Sequence, residues 1–156
     1  MDATGAADPI VPNGGIHHAA VVVSDLDRSI AFYTGLFGGE VALRIDGIED
    51  PRVARLQGVE RLKMSIAMIA FGPVRFELIQ FEEPVGRAEV PRSTDLGCAH
   101  LAFEVADVDA AYARLRSAGV DFEAPPVHLE EGPAAGWVIV YGRDPDGNRF
   151  ELLRTS

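Results

Sequence analysis

The chain has 156 residues, 47% of them apolar and 24% charged, with a formal net charge of −10. That is ordinary globular composition, enough for one domain or for two small modules sharing a core. The acidic balance argues against nucleic acid and anionic membranes as partners, which are held through Lys and Arg, and a single cysteine, Cys98, rules out an intrachain disulfide or a thiolate-rich zinc site.

Residues 1–15, MDATGAADPIVPNGG, lack the basic start and apolar run of a secretory signal and read as a flexible tail. No apolar stretch approaches the ~20 residues needed to span a bilayer, so the expected compartment is the cytoplasm. From residue 16 one pattern is stated twice. Residues 18–25 read His-Ala-Ala-Val-Val-Val-Ser-Asp and residues 100–107 read His-Leu-Ala-Phe-Glu-Val-Ala-Asp, sharing the frame H-x-A-x-x-V-x-D.

A helix is predicted after each frame. Leu26, Ile30, Tyr33 and Phe37 keep a three- and four-residue spacing, as do Val108, Ala111, Leu115 and Ala118. Asp25 and Asp107 stand at the N-cap positions, and Gly38 and Gly119 at the C-terminal stops. Strands follow at Val41–Arg44 and Met64–Phe71 in the first half, turned back by Gly72-Pro73. In the second half they follow near Val120–Phe122 and at Trp137–Tyr141, turned back by Asp-Pro-Asp-Gly-Asn at 144–148. Each half closes on Arg-Phe-Glu-Leu, at Arg75–Leu78 and Arg149–Leu152. The predicted fold is α+β: two tandem βαβββ modules, residues 16–81 and 98–156, joined by a linker over 82–97, forming a curved, partly open mixed sheet. His18 and Glu77 are 59 residues apart and His100 and Glu151 are 51 apart, which places eight surplus residues within Ile45–Leu62. The loop Pro125–Gly136 has the length of a lid.

Four side chains stand out. His18 and not His17 aligns with His100, since each precedes its Asp by seven residues, and Glu77 and Glu151 occupy equivalent places in the closing strands. A carboxylate in the middle of an apolar strand is costly unless it is paired or bound to a cation. If a pseudo-twofold axis relates the halves, His18, Glu77, His100 and Glu151 become one His₂Glu₂ site. Nitrogen and oxygen ligands suit Zn, Ni, Co, Fe(II) or Mn. Arg75 and Arg149 share the faces of their glutamates and are candidates for substrate binding. So are Trp137 and Tyr141, which alternate on one face of a strand, and His128 in the long loop. Phe32, Tyr33, Phe37 and Tyr112 read as core.

Together the His18 frame running into Asp25-Leu26 and Phe32-Tyr33, the Glu77-Leu78 strand, the His100 frame and Asp144–Asn148 leading to Glu151-Leu152 resemble the vicinal oxygen chelate superfamily. That superfamily includes glyoxalase I, methylmalonyl-CoA epimerase, fosfomycin and bleomycin resistance proteins and extradiol dioxygenases. The resemblance spans Ile16 to Arg154, and its four metal positions fall on His18, Glu77, His100 and Glu151, the ligand pattern of bacterial glyoxalase I and related epimerases. It implies one divalent transition metal ion, a small-molecule substrate and a homodimer. The implied activity is that of an isomerase, epimerase or glyoxalase-like lyase: Glu77 or Glu151 removes a proton beside a carbonyl, and the metal stabilises the enediolate. The segment after Glu77, Leu-Ile-Gln-Phe-Glu-Glu, lacks the Asn that bacterial glyoxalase I places there for glutathione, and the 144–148 turn differs from that of the CoA epimerase. The expected substrate is therefore a small hydroxyketone, with sugar-like and cyclitol ketones among the candidates, or a thioester. An Fe(II) ring-cleaving dioxygenase and a metal-free drug-binding protein are the alternatives.

Overall fold

The computed structural model describes residues 15–155; the expected tail, 1–15, lies outside them apart from its last residue. In the first module, β1 (Ala19–Val22) leads into α1 (Leu26–Phe37). Then come β2 (Glu40–Ile48), a short helix α2 (Pro51–Leu56), β3 (Lys63–Phe71) and β4 (Val74–Glu83). The second module runs β5 (His100–Glu104), α3 (Val108–Ser117), β6 (Asp121–Phe122), β7 (Val127–His128), β8 (Val138–Arg143) and β9 (Arg149–Arg154). The strand orders are β1-β4-β3-β2 and β5-β9-β8-β6, with β7 paired to β8. In each sheet the first strand runs parallel to the last and the other pairs are antiparallel. The repeat in the sequence is thus a repeat in topology, and the two sheets are open and mixed.

Local chemistry sets the helix ends. The carboxylates of Asp25 and Asp107 accept from the backbone N–H groups of Arg28 and Ala110, satisfying donors that the first helical turn leaves free. Gly38 closes α1 with φ 73°, a conformation that a side chain would strain.

Two departures from the sequence reading concern short elements. The surplus of the first half lies inside Ile45–Leu62 as expected, but it extends β2 and forms α2, started by the Asp50 cap and Pro51. The predicted loop Pro125–Gly136 contributes β7, whose Val127 and His128 pair with Ile139 and Val138.

The modules meet through their helix-bearing faces. In the first, Ala67, Ile69, Phe76 and Leu78 pack on Leu26 and Tyr33. In the second, Val138, Val140, Phe150 and Leu152 pack on Val108 and Leu115. Phe32 and Phe37 of α1 join both clusters. Phe37 lies 4.6 Å from Phe103 and 5.1 Å from Phe150, centroid to centroid, and Phe71 meets Phe103 edge-on at 5.2 Å. Because Phe71 and Phe103 belong to the two sheets themselves, those faces look toward each other across a common aromatic layer.

Polar clasps fix the orientation. The turn between β8 and β9 is built on Asp144, whose Oδ1 accepts from the N–H groups of Asp146 and Asn148, while Gly147 takes a φ of 84°. The buried Tyr33 hydroxyl donates to Asp144 Oδ2 at 3.0 Å, and the Asn148 amide donates to the carbonyl of Val22. Burial, then the neighbouring Asp144 carboxylate, drive the Tyr33 hydroxyl pKa far above its ordinary value. At the rim, Ser24 and Arg28 donate to Asp146 at 2.5 and 2.7 Å. Burial pushes the Asp146 carboxyl up, but these hydrogen bonds and the Arg28 charge outweigh it and hold the group below the usual carboxylate range.

Tyr33→Phe should destabilise the protein by about 1–2 kcal/mol, since it removes a buried hydrogen bond to a charged group while Asp144 keeps its backbone donors; urea unfolding measures the loss. Gly142→Ala should cost about 1–3 kcal/mol, because the new methyl would meet the Phe150 ring. A carboxyl with a depressed pKa contributes stability above its unfolded pKa of about 3.9 and loses it as the pH falls through the lower folded value. Asp146→Asn should therefore flatten the decline of Tm with acidification in that window.

Candidate functional site: two histidine–glutamate pairs

Directly paired residues in a ladder share a face, and side chains alternate along each strand. Ala20 pairs with Glu77 and Ala102 with Glu151, so His18 and His100, two residues earlier, project from the same faces as the glutamates. His18 Nε2 lies 3.4 Å from Glu77 Oε2, and His100 Nε2 lies 2.9 Å from Glu151 Oε2. The carboxylate side chains are 15% and 10% exposed and the imidazoles 36% each, so both pairs sit at the floor of an open face and not in the core.

These faces are the ones opposite the aromatic layer. Phe76 and Leu78 flank Glu77 and point inward at 1% and 0% exposure, as Phe150 and Leu152 flank Glu151 at 0% and 1%. The structure therefore brings the four candidate ligands together two by two, on outward faces. Among the described residues of one chain, no three His, Cys, Asp or Glu side chains converge on a point.

Each pair nevertheless suits a metal ion. Neighbouring ligands that stand about 2.1 Å from one ion lie about 3 Å apart, close to the observed separations. A nearly buried carboxylate beside an imidazole offers an oxygen and a nitrogen ligand, and a cation bound there would offset the cost of burying the carboxylate. One pair supplies two ligands, half of a tetrahedral set.

Around the pairs the two faces differ. Beside Glu77 the first face is apolar: Met68 stands opposite it in the ladder, followed by Ile66, Ile79, Leu43 and Ile45. Further along, α2 covers this same face with a small core of Ala54, Leu62 and Met64, backed by Ile48, Val53, Val59 and Phe81. The second face is polar and aromatic. Tyr141 stands opposite Glu151, and its ring lies 5.4 Å from that of His100. The Arg149 guanidinium sits 4.0 Å over the same ring. Burial, then the nearby Glu151 carboxylate, raise the Tyr141 pKa above the ordinary phenolic value.

The remaining sequence candidates divide. Arg149 and Tyr141 are brought to the His100–Glu151 pair, and Trp137 precedes β8 in the same alternation as Ile139 and Tyr141. Arg75 lies on the Glu77 face but turns its guanidinium back onto the carbonyls of Gly72 and Val74. His128 is not brought to the site: it pairs with Val138, whose side chain faces the core, and its Nε2 stands 3.2 Å from Asp109 in the first turn of α3. Sequence reasoning missed Glu123, which bonds Arg143 at 2.8 Å and Ser93 at 2.7 and 2.8 Å and lies 3.3 Å from Arg149. Nothing in the local sequence marks it, since its partners come from β8, β9 and the linker.

The chain and its fold are similar to those of known proteins. The chain is 38% identical over 142 residues to a 2-epi-5-epi-valiolone epimerase of Actinomyces sp., covering 88% of this chain and 78% of that protein. It is 33% identical to the lactoylglutathione lyase of Salmonella typhimurium, covering 89% and 91%. A glyoxalase family protein of Bacillus cereus shares the fold, with a TM-score of 0.77 at 23% identity over 94% of this chain and 98% of that one. Residues 15–152 match the family model described as Glyoxalase/Bleomycin resistance protein/Dioxygenase superfamily, and to that superfamily the chain belongs.

Proposed function

We propose that the protein is a metal-dependent epimerase of a small neutral hydroxyketone of the cyclitol type, and that its working site forms where the His18–Glu77 face of one copy meets the His100–Glu151 face of another. The observation that carries this reading is the pair of equivalent His–Glu couples, each within 3.4 Å and each on an outward face. A site assembled between copies explains why equivalent ligands are kept in both modules but stay apart in one chain. β1 and β5 each end a sheet, and an open sheet edge is a template for pairing with a second chain. A C2 dimer joining the two faces would form two identical sites.

Within such a site His18, Glu77, His100 and Glu151 would hold a divalent ion, which when bound supplies Lewis-acid stabilisation of the oxygen that gains charge. The rest is done by the chain itself. One glutamate takes the proton from the carbon beside the carbonyl, breaking that C–H bond. The other glutamate, protonated, delivers its own proton to the same carbon from the opposite face, which inverts the centre, and exchange of protons with solvent then resets the pair. Two carboxylates from two modules, facing each other across the substrate, suit a reaction that needs a proton handled on both sides. The similarity to a 2-epi-5-epi-valiolone epimerase supports the substrate class, and the segment after Glu77, without the Asn expected for glutathione, weighs against a glutathione conjugate.

The test is proton exchange in D₂O with 2-epi-5-epi-valiolone, followed by NMR. The wild type should exchange the proton beside the carbonyl, and Glu77→Gln and Glu151→Gln should each slow exchange by about 10²–10⁴-fold. Mixing the two inactive variants and allowing subunits to exchange should restore about a quarter of wild-type activity, because half the dimers are mixed and each has one intact site. No recovery on mixing would contradict the shared site. Turnover yielding lactoylglutathione, without exchange into the cyclitol ketone, would contradict the substrate class.

A further inference from the structure

The polar half-site carries two arginines, Arg143 and Arg149, paired across β8 and β9 beside the His100–Glu151 couple. Left alone they would make the face a binding site for phosphate or carboxylate groups. They are not alone. Glu123 Oε1 lies 2.8 Å from Arg143 Nη2 and 3.3 Å from Arg149 Nε. The second contact is an ion pair without the alignment of a hydrogen bond, since Arg149 Nε is buried and makes none among the described residues. We propose that Glu123 sets the charge of this half-site, cancelling guanidinium charge so that the face takes uncharged hydroxyl and carbonyl groups and turns anionic ones away.

Three observations support this. First, Glu123 is itself fixed: the Ser93 hydroxyl bonds both of its oxygens, and Ser93 with Arg149 and Arg143 holds its carboxyl below the usual range, so it stays ionised. Second, Arg149 is held in place with a side chain only 11% exposed, stacked on Tyr141, which stands opposite Glu151. Its charge is therefore felt where substrate would lie. Third, the fold does not require the trio. Arg143 pairs with Arg149 and Asp121 as Ala70 pairs with Arg75 and Glu40 in the first module, and past the bulge at Ala42 it is Leu43 that stands opposite Met68, where Glu123 donates its backbone N–H to Tyr141. The same topology thus forms without either the second arginine or the carboxylate.

Only the assignment of this face to the substrate rests on the proposed function; charge compensation is read by phosphate binding, without turnover. Inorganic phosphate is titrated into the purified protein by calorimetry at constant ionic strength. Glu123→Gln should bind phosphate at least about tenfold more tightly than wild type, the scale of one charge-assisted contact released. Adding Arg149→Gln should abolish the gain, while Ser93→Ala, which keeps the carboxylate, should leave phosphate affinity as in wild type. Should Glu123→Gln not fold, Glu123→Ala reads the same gain. No gain in either variant, a gain that survives Arg149→Gln, or wild-type phosphate binding that Arg149→Gln alone removes would overturn the proposal.

Discussion

The aromatic layer between the modules is the constraint on which everything else depends. Phe32 and Phe37 belong to both cores, and Phe71 and Phe103 touch across them, so the helix-bearing faces of the two sheets are buried against one another. Once those faces are committed inward, strict alternation along β4 and β9 sends Glu77 and Glu151 outward. The same packing that stabilises the chain separates its two His–Glu pairs. Tyr33–Asp144 and Arg28–Asp146 then hold the modules at one angle, and with it the relation of one His–Glu pair to the other. A change in this seam would act on the site without touching it.

The repeat carries two equivalent His–Glu pairs whose surroundings differ. The eight surplus residues of the first module went into a longer β2 and into α2, which lays an apolar cover over one end of the Glu77 face. The second module kept that face bare of helix and furnished it with Tyr141, Arg149 and Glu123. Brought together between two copies, the faces would offer one apolar wall and one wall of hydrogen-bonding groups. A cyclitol ketone would present both kinds of surface, apolar C–H groups on the faces of its ring and hydroxyls around its rim.

Much of the fold was legible in the sequence because it is governed by local rules. The Asp25 and Asp107 caps, the helical spacing that follows them and the alternation around Glu77 and Glu151 all depend on residues a few positions apart. The alignment of His18, rather than His17, with His100 came from the repeat alone, and the ladders place both on the faces of their glutamates. What escaped the reading depends on distant partners. α2 is six residues long, too short for a periodic pattern to declare itself, and β7 exists only because β8 lies beside it. His128 looked available because its loop is polar, but pairing with β8 turns it toward Asp109. Whether the ligands meet within a chain could not be read at all. Pseudo-twofold equivalence allows either arrangement, and the residues that decide it, Phe37, Phe71 and Phe103, look in sequence like any other core.

The central claim, that pairs from two copies make one metal site, is tested most directly by metal stoichiometry. Elemental analysis of the purified protein should find one divalent ion per chain, and Glu77→Gln and Glu151→Gln should each lose it almost entirely, because either change damages every site in a dimer. Two ions per chain, or one that survives the removal of either pair, would show that each His–Glu couple acts alone and would contradict the account.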